Sequence, residues 1–265
     1  MLCVLDARTG SYAEVRPARR GLLRLCARLP DGAAAAGVTG LRVLLVADLL
    51  ARTAELGGLQ AVTVLTFGSQ SSSQREAAER AADALGIHPP AARADSCDTQ
   101  AWLGGPADVH VISDGGAHGA GHGLVLRVGT AQPPRAGSDA QAVPGGLPAG
   151  QAGDALAVRF ALMSVPYHQP ADLTGGVLAR ADETLVHWRQ RVAQWAESPS
   201  RPMPARVAEA IEAAFGKLDT VSALSLLGGL VPEASVPAGA RFEAFVYADR
   251  ILGLDLARDI GRPAG

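Results

Sequence analysis

The sequence predicts an α/β fold with a parallel, nucleotide-binding type of sheet followed by an all-α helical bundle, and three observations carry that expectation. Short β-branched apolar runs alternate with helix-period segments through the first half of the 265 residues. A stretch rich in proline and glycine, residues 131–153, interrupts the alternation. Beyond it the apolar spacing is helical nearly to the end. The boundaries drawn from this pattern are 1–136 for the sheet-bearing domain, 137–153 for a linker or loop, and 154–265 for the bundle.

The elements follow in order. Residues 3–5 and 22–27 read as short strands, joined through the turn Arg8-Thr9-Gly10 and a basic segment over 16–20. Over 41–56 the positions Leu41, Leu44, Leu45, Asp48, Leu49, Arg52 and Leu56 recur at helical spacing, and Gly57-Gly58 supplies a stop. Residues 61–67 are β-branched and bounded by glycines, as a buried parallel strand requires. A helix over 73–85 starts after a serine-rich cap and ends at Gly86, ahead of Pro89-Pro90. Residues 110–113 and 124–128 read as two further strands on either side of a glycine-rich turn, 115–123.

The bundle is expected over 154–163, 173–197, 205–215, 220–227 and 240–252. Leu185, Trp188, Val192 and Trp195 form one apolar stripe, which makes both tryptophans core residues.

Composition limits the function classes. The net charge of −2 and a pI near 6.3 provide no long-range field to gather nucleic acid. The three cysteines, Cys3, Cys26 and Cys97, are an odd number without a CxxC pair, which argues against a disulfide framework and for a reducing cytoplasm. No run approaches the roughly 18 apolar residues of a membrane span, so the chain is expected to be soluble, cytoplasmic and without a membrane partner. One lysine, Lys217, stands among 24 basic residues.

The loop after the strand at 110–113 is the most suggestive by residue type. Its glycines permit close approach of backbone to an anion, and Asp114, His118 and His122 cluster in it. His118 and His122 stand at metal-ligand spacing for a helix, but the glycines between them disfavour a helix. Loops at the carboxyl ends of parallel strands line ligand pockets, which keeps Asp114, His118 and His122 as substrate-pocket candidates. Cys26 reads either as a ligand or as a small buried strand residue. Asp48 pairs with Arg52 at i,i+4.

A likeness to a known family runs along most of the chain. The opening VLDARTGSYAEVRPARRGLLRLCARL, through Asp6, Arg8, Thr9, Gly10, Pro17 and Cys26, resembles the N-terminus of cysteinyl-tRNA synthetases and of the related mycothiol cysteine ligases. GLRVLLVADLLAR resembles the family's first long helix, with Arg42, Asp48 and Arg52 in register, and ALGIHPP the segment that leads to its inserted region. ALAVRFALMSVPYH and FGKLDTVSAL resemble two elements of its helical half. FEAFVYADRILGLDL resembles the end of that half in actinobacterial members.

The resemblance implies a Rossmann-like class I synthetase-type domain over 1–136. It also implies ATP as the nucleotide, and an amino acid, cysteine above all, as the substrate. The departures fall on the chemistry. The family's H-I-G-H phosphate motif lands on Gly37, Val38, Thr39 and Gly40, which leaves Gly37, Thr39 and Gly40 as nucleotide-binding candidates through their backbone. The mobile K-M-S-K-S loop falls in residues 127–153, where there is no lysine, so an arginine such as Arg127 or Arg135 is the remaining cation.

The family's zinc set is matched at Cys26, with His118 and His122 echoing a later motif; the second cysteine is not recognisable, which argues against zinc. A shortened anticodon-recognising part argues against tRNA. Two functions are therefore expected: a degenerate synthetase-like binding or regulatory module, or an ATP-dependent ligase that activates cysteine or another amino acid for a small amine or tRNA.

Overall fold

The computed structural model describes residues 1–31, 37–67, 70–95, 100–114, 121–133, 141–142, 148–149 and 154–262. Its centre is a five-stranded sheet of β3 (Leu22–Arg28), β4 (Gln60–Thr66), β5 (Ala92–Ala94), β6 (Val109–Ser113) and β7 (Leu124–Val128). The spatial order is β5-β4-β3-β6-β7 and every neighbouring pair is parallel. The chain thus winds outward from β3 to β5, then returns to the other side of β3, so the strand order reverses between β3 and β6. That is the arrangement of a doubly wound, Rossmann-like sheet.

Helix α1 (Val38–Leu56) crosses from β3 to β4, and α2 (Ser72–Ala84) from β4 to β5. α1 is buried over nearly its whole circumference, from Val38 through Leu50. A helix apolar all round needs partners on both sides. The sheet supplies one through Leu23, Leu25, Val109, Val111 and Leu126. The other is the helical half: α4 (Ala155–Met163), α5 (Gly175–Ala196), α6 (Ala205–Phe215), α7 (Thr220–Leu230) and α8 (Ala238–Leu252). One continuous hydrophobic core joins this sheet face, α1 and the helices. A smaller core of Cys26, Val64, Ala94, Leu103 and Ala107 lies on the opposite face, under the short helix α3 (Gln100–Leu103).

Three arginines fully enclosed in the protein stitch these layers. Arg42 of α1 donates to the carbonyls of Gly129, Val165 and Pro166 at 3.2, 3.2 and 3.0 Å and also to that of Gln169. Arg159 of α4 donates to Asp48 at 2.7 Å, Leu252 at 2.6 Å and Leu85 at 3.1 Å. Arg189 of α5 donates to Asp154 at 2.5 Å and to the carbonyls of Leu254 and Asp255. Buried guanidinium groups are tolerated only where such acceptors replace water. The expected stripe of α5 is in the core as well: Trp188 and Trp195 are buried and meet Phe245 edge-to-face, each at 5.2 Å.

Several sequence expectations need correction. The N-terminal strands at 3–5 and 22–27 and the turn between them are present, but an additional strand was missed: β2 (Ser11–Glu14) pairs with β1 (Cys3–Asp6) as an antiparallel hairpin, and the five-stranded sheet begins at β3. Gly10, at φ 68°, closes that hairpin in the left-handed region. Periodicity missed β5 and α3, whose three and four residues are too short to carry a pattern. Residues 131–153 hold more than a linker. β8 (Ala131–Gln132) pairs in parallel with β11 (Ala171–Asp172), and β9 (Gln141–Ala142) pairs with β10 (Pro148–Ala149). The remainder of 134–153 lies outside the described residues. Among the described residues no helix is long and apolar enough to cross a membrane.

Candidate functional site

Ligands of doubly wound sheets sit outside the carboxyl ends of the strands, where the order reverses. Here that place lies between the ends of β3 and β6, and a cleft of about 220 Å³ occupies it, lined by Arg28, Leu29, Pro30, Asp31, Ile112, Ser113 and Asp114. The sequence positions these groups for a simple reason. β3 must stop at Leu29-Pro30, because proline has no amide hydrogen for the ladder, and the chain turns out through Asp31. β6 stops at Ser113, leaving Asp114 on the rim, where its amide donates to the Val128 carbonyl at 2.8 Å. Arg127 of β7 reaches the same rim and lies 3.8 Å from the Asp114 carboxylate. Both are partly exposed, so this pair is weak and leaves the guanidinium able to engage a second anion.

The nucleotide candidates divide. Gly37 is the N-cap of α1 and gives the helix no side-chain cap, so the positive end of its dipole points to the carboxyl edge of the sheet. Thr39 is committed elsewhere: its hydroxyl donates to the Ala131 carbonyl at 3.0 Å and accepts the Ala131 amide at 3.0 Å, tying α1 to β8. Gly40 is buried within the first turn of α1. Of the proposed phosphate-binding groups, Gly37 and Arg127 remain at the sheet's carboxyl edge. Arg135 lies outside the described residues. The two arginines at this edge, Arg28 and Arg127, are balanced in formal charge by Asp31 and Asp114. Among the described residues no histidine lines this cleft.

Of the described substrate-pocket and metal candidates, Asp114 lines this cleft, whereas Cys26 and His122 do not. Cys26 is 1% exposed and its side chain faces the smaller core, with Sγ 3.9 Å from the Thr66 hydroxyl. Its register partner on β6 is His110, which in-register pleating places on the same sheet face. His110 donates from Nε2 to the carbonyl of His122 at 3.0 Å, and the His122 side chain is exposed. His118 lies outside the described residues. Among the described residues no three histidine, cysteine or acidic side chains stand close enough to hold a metal. A zinc ion needs three or four such donors, and the described donors do not make a set that fits one.

Sequence reasoning missed Arg28, Asp31 and Ser113. The signal available was positional: they flank the ends of β3 and β6, but that these strands are neighbours across the reversal is a property of topology, not of any local pattern.

The motif residues have clear structural work. The Asp6 carboxylate accepts the amides of Val125 at 3.2 Å and Arg8 at 3.3 Å, and Arg8 donates onward to the Gly123 carbonyl, so the D-x-R-T-G turn latches the hairpin to the start of β7. Burial raises the Asp6 pKa, but these hydrogen bonds and the Arg8 charge outweigh it and hold the carboxyl below its ordinary value. Asp48 binds Arg52 at 2.8 Å and Arg159 at 2.7 Å. Tyr167, pushed up to about 12 by burial, accepts the Leu5 amide at 3.1 Å. Comparison with known proteins brings no family: no protein-family model matches the chain, and no curated protein matches it significantly.

Proposed function

We propose that the protein is a degenerate relative of the cysteinyl-tRNA synthetases and mycothiol cysteine ligases, a Rossmann-like domain joined to a helical bundle domain. In this reading it acts as a binding or regulatory module that holds a nucleotide or amino acid at the switch-point cleft without efficient adenylate chemistry. The observation that carries the reading is the cleft itself. It occupies the ligand position of the fold, with Arg28 and Arg127 set against Asp31 and Asp114 and the uncapped start of α1 at Gly37 at the same edge of the sheet.

What is missing supports the second half of the reading. Adenylate formation rests on cations and donors placed where charge builds up on the phosphates, and each loss typically costs a hundredfold or more in rate. The chain's single lysine, Lys217, follows α6 and lies 6.0 Å from the Tyr12 ring of β2. The residues that carry the family likeness, namely Asp6, Arg8, Gly10, Arg42, Asp48 and Arg52, are latches and ion pairs of the scaffold. A chain that keeps these and loses the phosphate contacts keeps a fold and sheds a reaction.

Calorimetric titration with ATP, AMP and cysteine tests the binding half. Saturable heat from at least one of them, lost or weakened about tenfold in Arg127→Ala, supports a ligand at the cleft. No heat from any of the three would remove the nucleotide and cysteine roles.

A further inference from the structure

We propose that a second pocket, sharing no residue with the switch-point cleft, binds a small primary amine with a short apolar body. The proposal does not depend on the function assigned to the cleft. The pocket, about 290 Å³, lies between α1, β4 and the segment that leads into β5. Its walls are apolar, with Ala47 and Ala51 from α1, Ala61 and Leu65 from β4, and Ile87 and Pro90 beyond α2. Pro89-Pro90 fixes its outer wall with little conformational freedom to lose on binding.

The pocket carries two carboxylates, Asp48 and Glu55, beside the His88 ring and the Thr63 hydroxyl. The Asp48 side chain is 1% exposed and its Oδ1 receives both the His88 amide at 3.1 Å and the His88 ring, through Nδ1, at 3.2 Å. The other oxygen is taken by Arg52 and Arg159. An ionised carboxylate can only accept, so Nδ1 carries a proton and donates it to Asp48. That ring is 61% exposed. Thr63 adds a hydroxyl, and Glu55, which forms no ion pair among the described residues, adds a carboxylate at the rim. The neighbouring cation Arg52 is committed to Asp48 and, at 2.8 Å, to the Gly86 carbonyl.

The Glu55 carboxylate on α1 and the Thr63 hydroxyl on β4 accept from an ammonium group. The apolar walls take the carbon body, as small-ligand sites generally do.

The test is titration of the full chain with phenethylamine, with phenethyl alcohol as the neutral counterpart, followed by two-dimensional NMR and calorimetry. The expected result is saturable binding of the amine, about tenfold weaker binding of the alcohol, and shifts centred on Ala51, Ala61 and His88. Glu55→Gln weakens the amine, and Ala51→Phe, which fills the pocket, removes it. Should Ala51→Phe fail to fold, the wild-type shift map decides. The proposal is overturned by no saturable shift, by shifts centred on Arg28 and Asp114, or by equal affinity for amine and alcohol.

Discussion

At the scale of single residues, Asp48 has the largest consequences. Burial raises its pKa, but the hydrogen bond from His88 and the charges of Arg159 and Arg52 outweigh that and lower it from 3.8 to about 2. A carboxylate held lower in the folded than in the unfolded chain contributes stability that is fully present above the unfolded value. That stability is lost as pH falls through the folded value. Chemical denaturation at a series of pH values should therefore show on the order of 2 kcal/mol disappearing between about pH 4 and pH 2. Asp48→Asn should remove that pH step and destabilise the fold at neutral pH by about 3–5 kcal/mol, because Arg159 stays buried without its counter-charge. The Asp48–Arg52 pair was legible at i,i+4 in the sequence. Arg159 was not, since no local pattern links residues so far apart.

At the scale of elements, the exit from β7 is closely packed. A Cβ on Gly129 would lie 2.3 Å from the backbone oxygen of Gln169, and the carbonyl of Gly129 accepts from Arg42. Gly129→Ala should cost about 3 kcal/mol or more, read as a lowered melting temperature together with faster amide exchange at Ala131 and Ala171. Thr39 belongs to the same junction: Thr39→Val removes both hydrogen bonds to Ala131 and should cost about 1–3 kcal/mol in the same assays.

Long periodic segments such as α1, α5 and α6 were readable because burial imposes a 3.6-residue period over several turns. β8 and β11 were invisible because a two-residue pairing depends wholly on tertiary contacts, and the proline and glycine around β8 signal only a break. Asp114, a pocket candidate from the loop after β6, and Arg127, a cation candidate from the family likeness, both stand at the cleft, whereas Thr39, taken from the same likeness, serves the β8 junction. A motif position says which residue occupies a turn, not which way its hydroxyl is committed.

For the whole molecule, sheet and helical half share one core, with α1 buried between them and Asp48–Arg159 and the Arg42 carbonyl cage crossing the boundary. Scanning calorimetry should accordingly show a single transition with matching calorimetric and van't Hoff enthalpies; two separable transitions would mean that the halves unfold independently. The same architecture places a ligand-sized cleft at the strand reversal while its scaffold latches remain intact. The proposed function, a synthetase-like module that binds without activating, is tested most directly by cysteine-dependent exchange of pyrophosphate into ATP with the purified full chain. The predicted result is no exchange above the cysteine-free background, and robust cysteine-dependent exchange would contradict it.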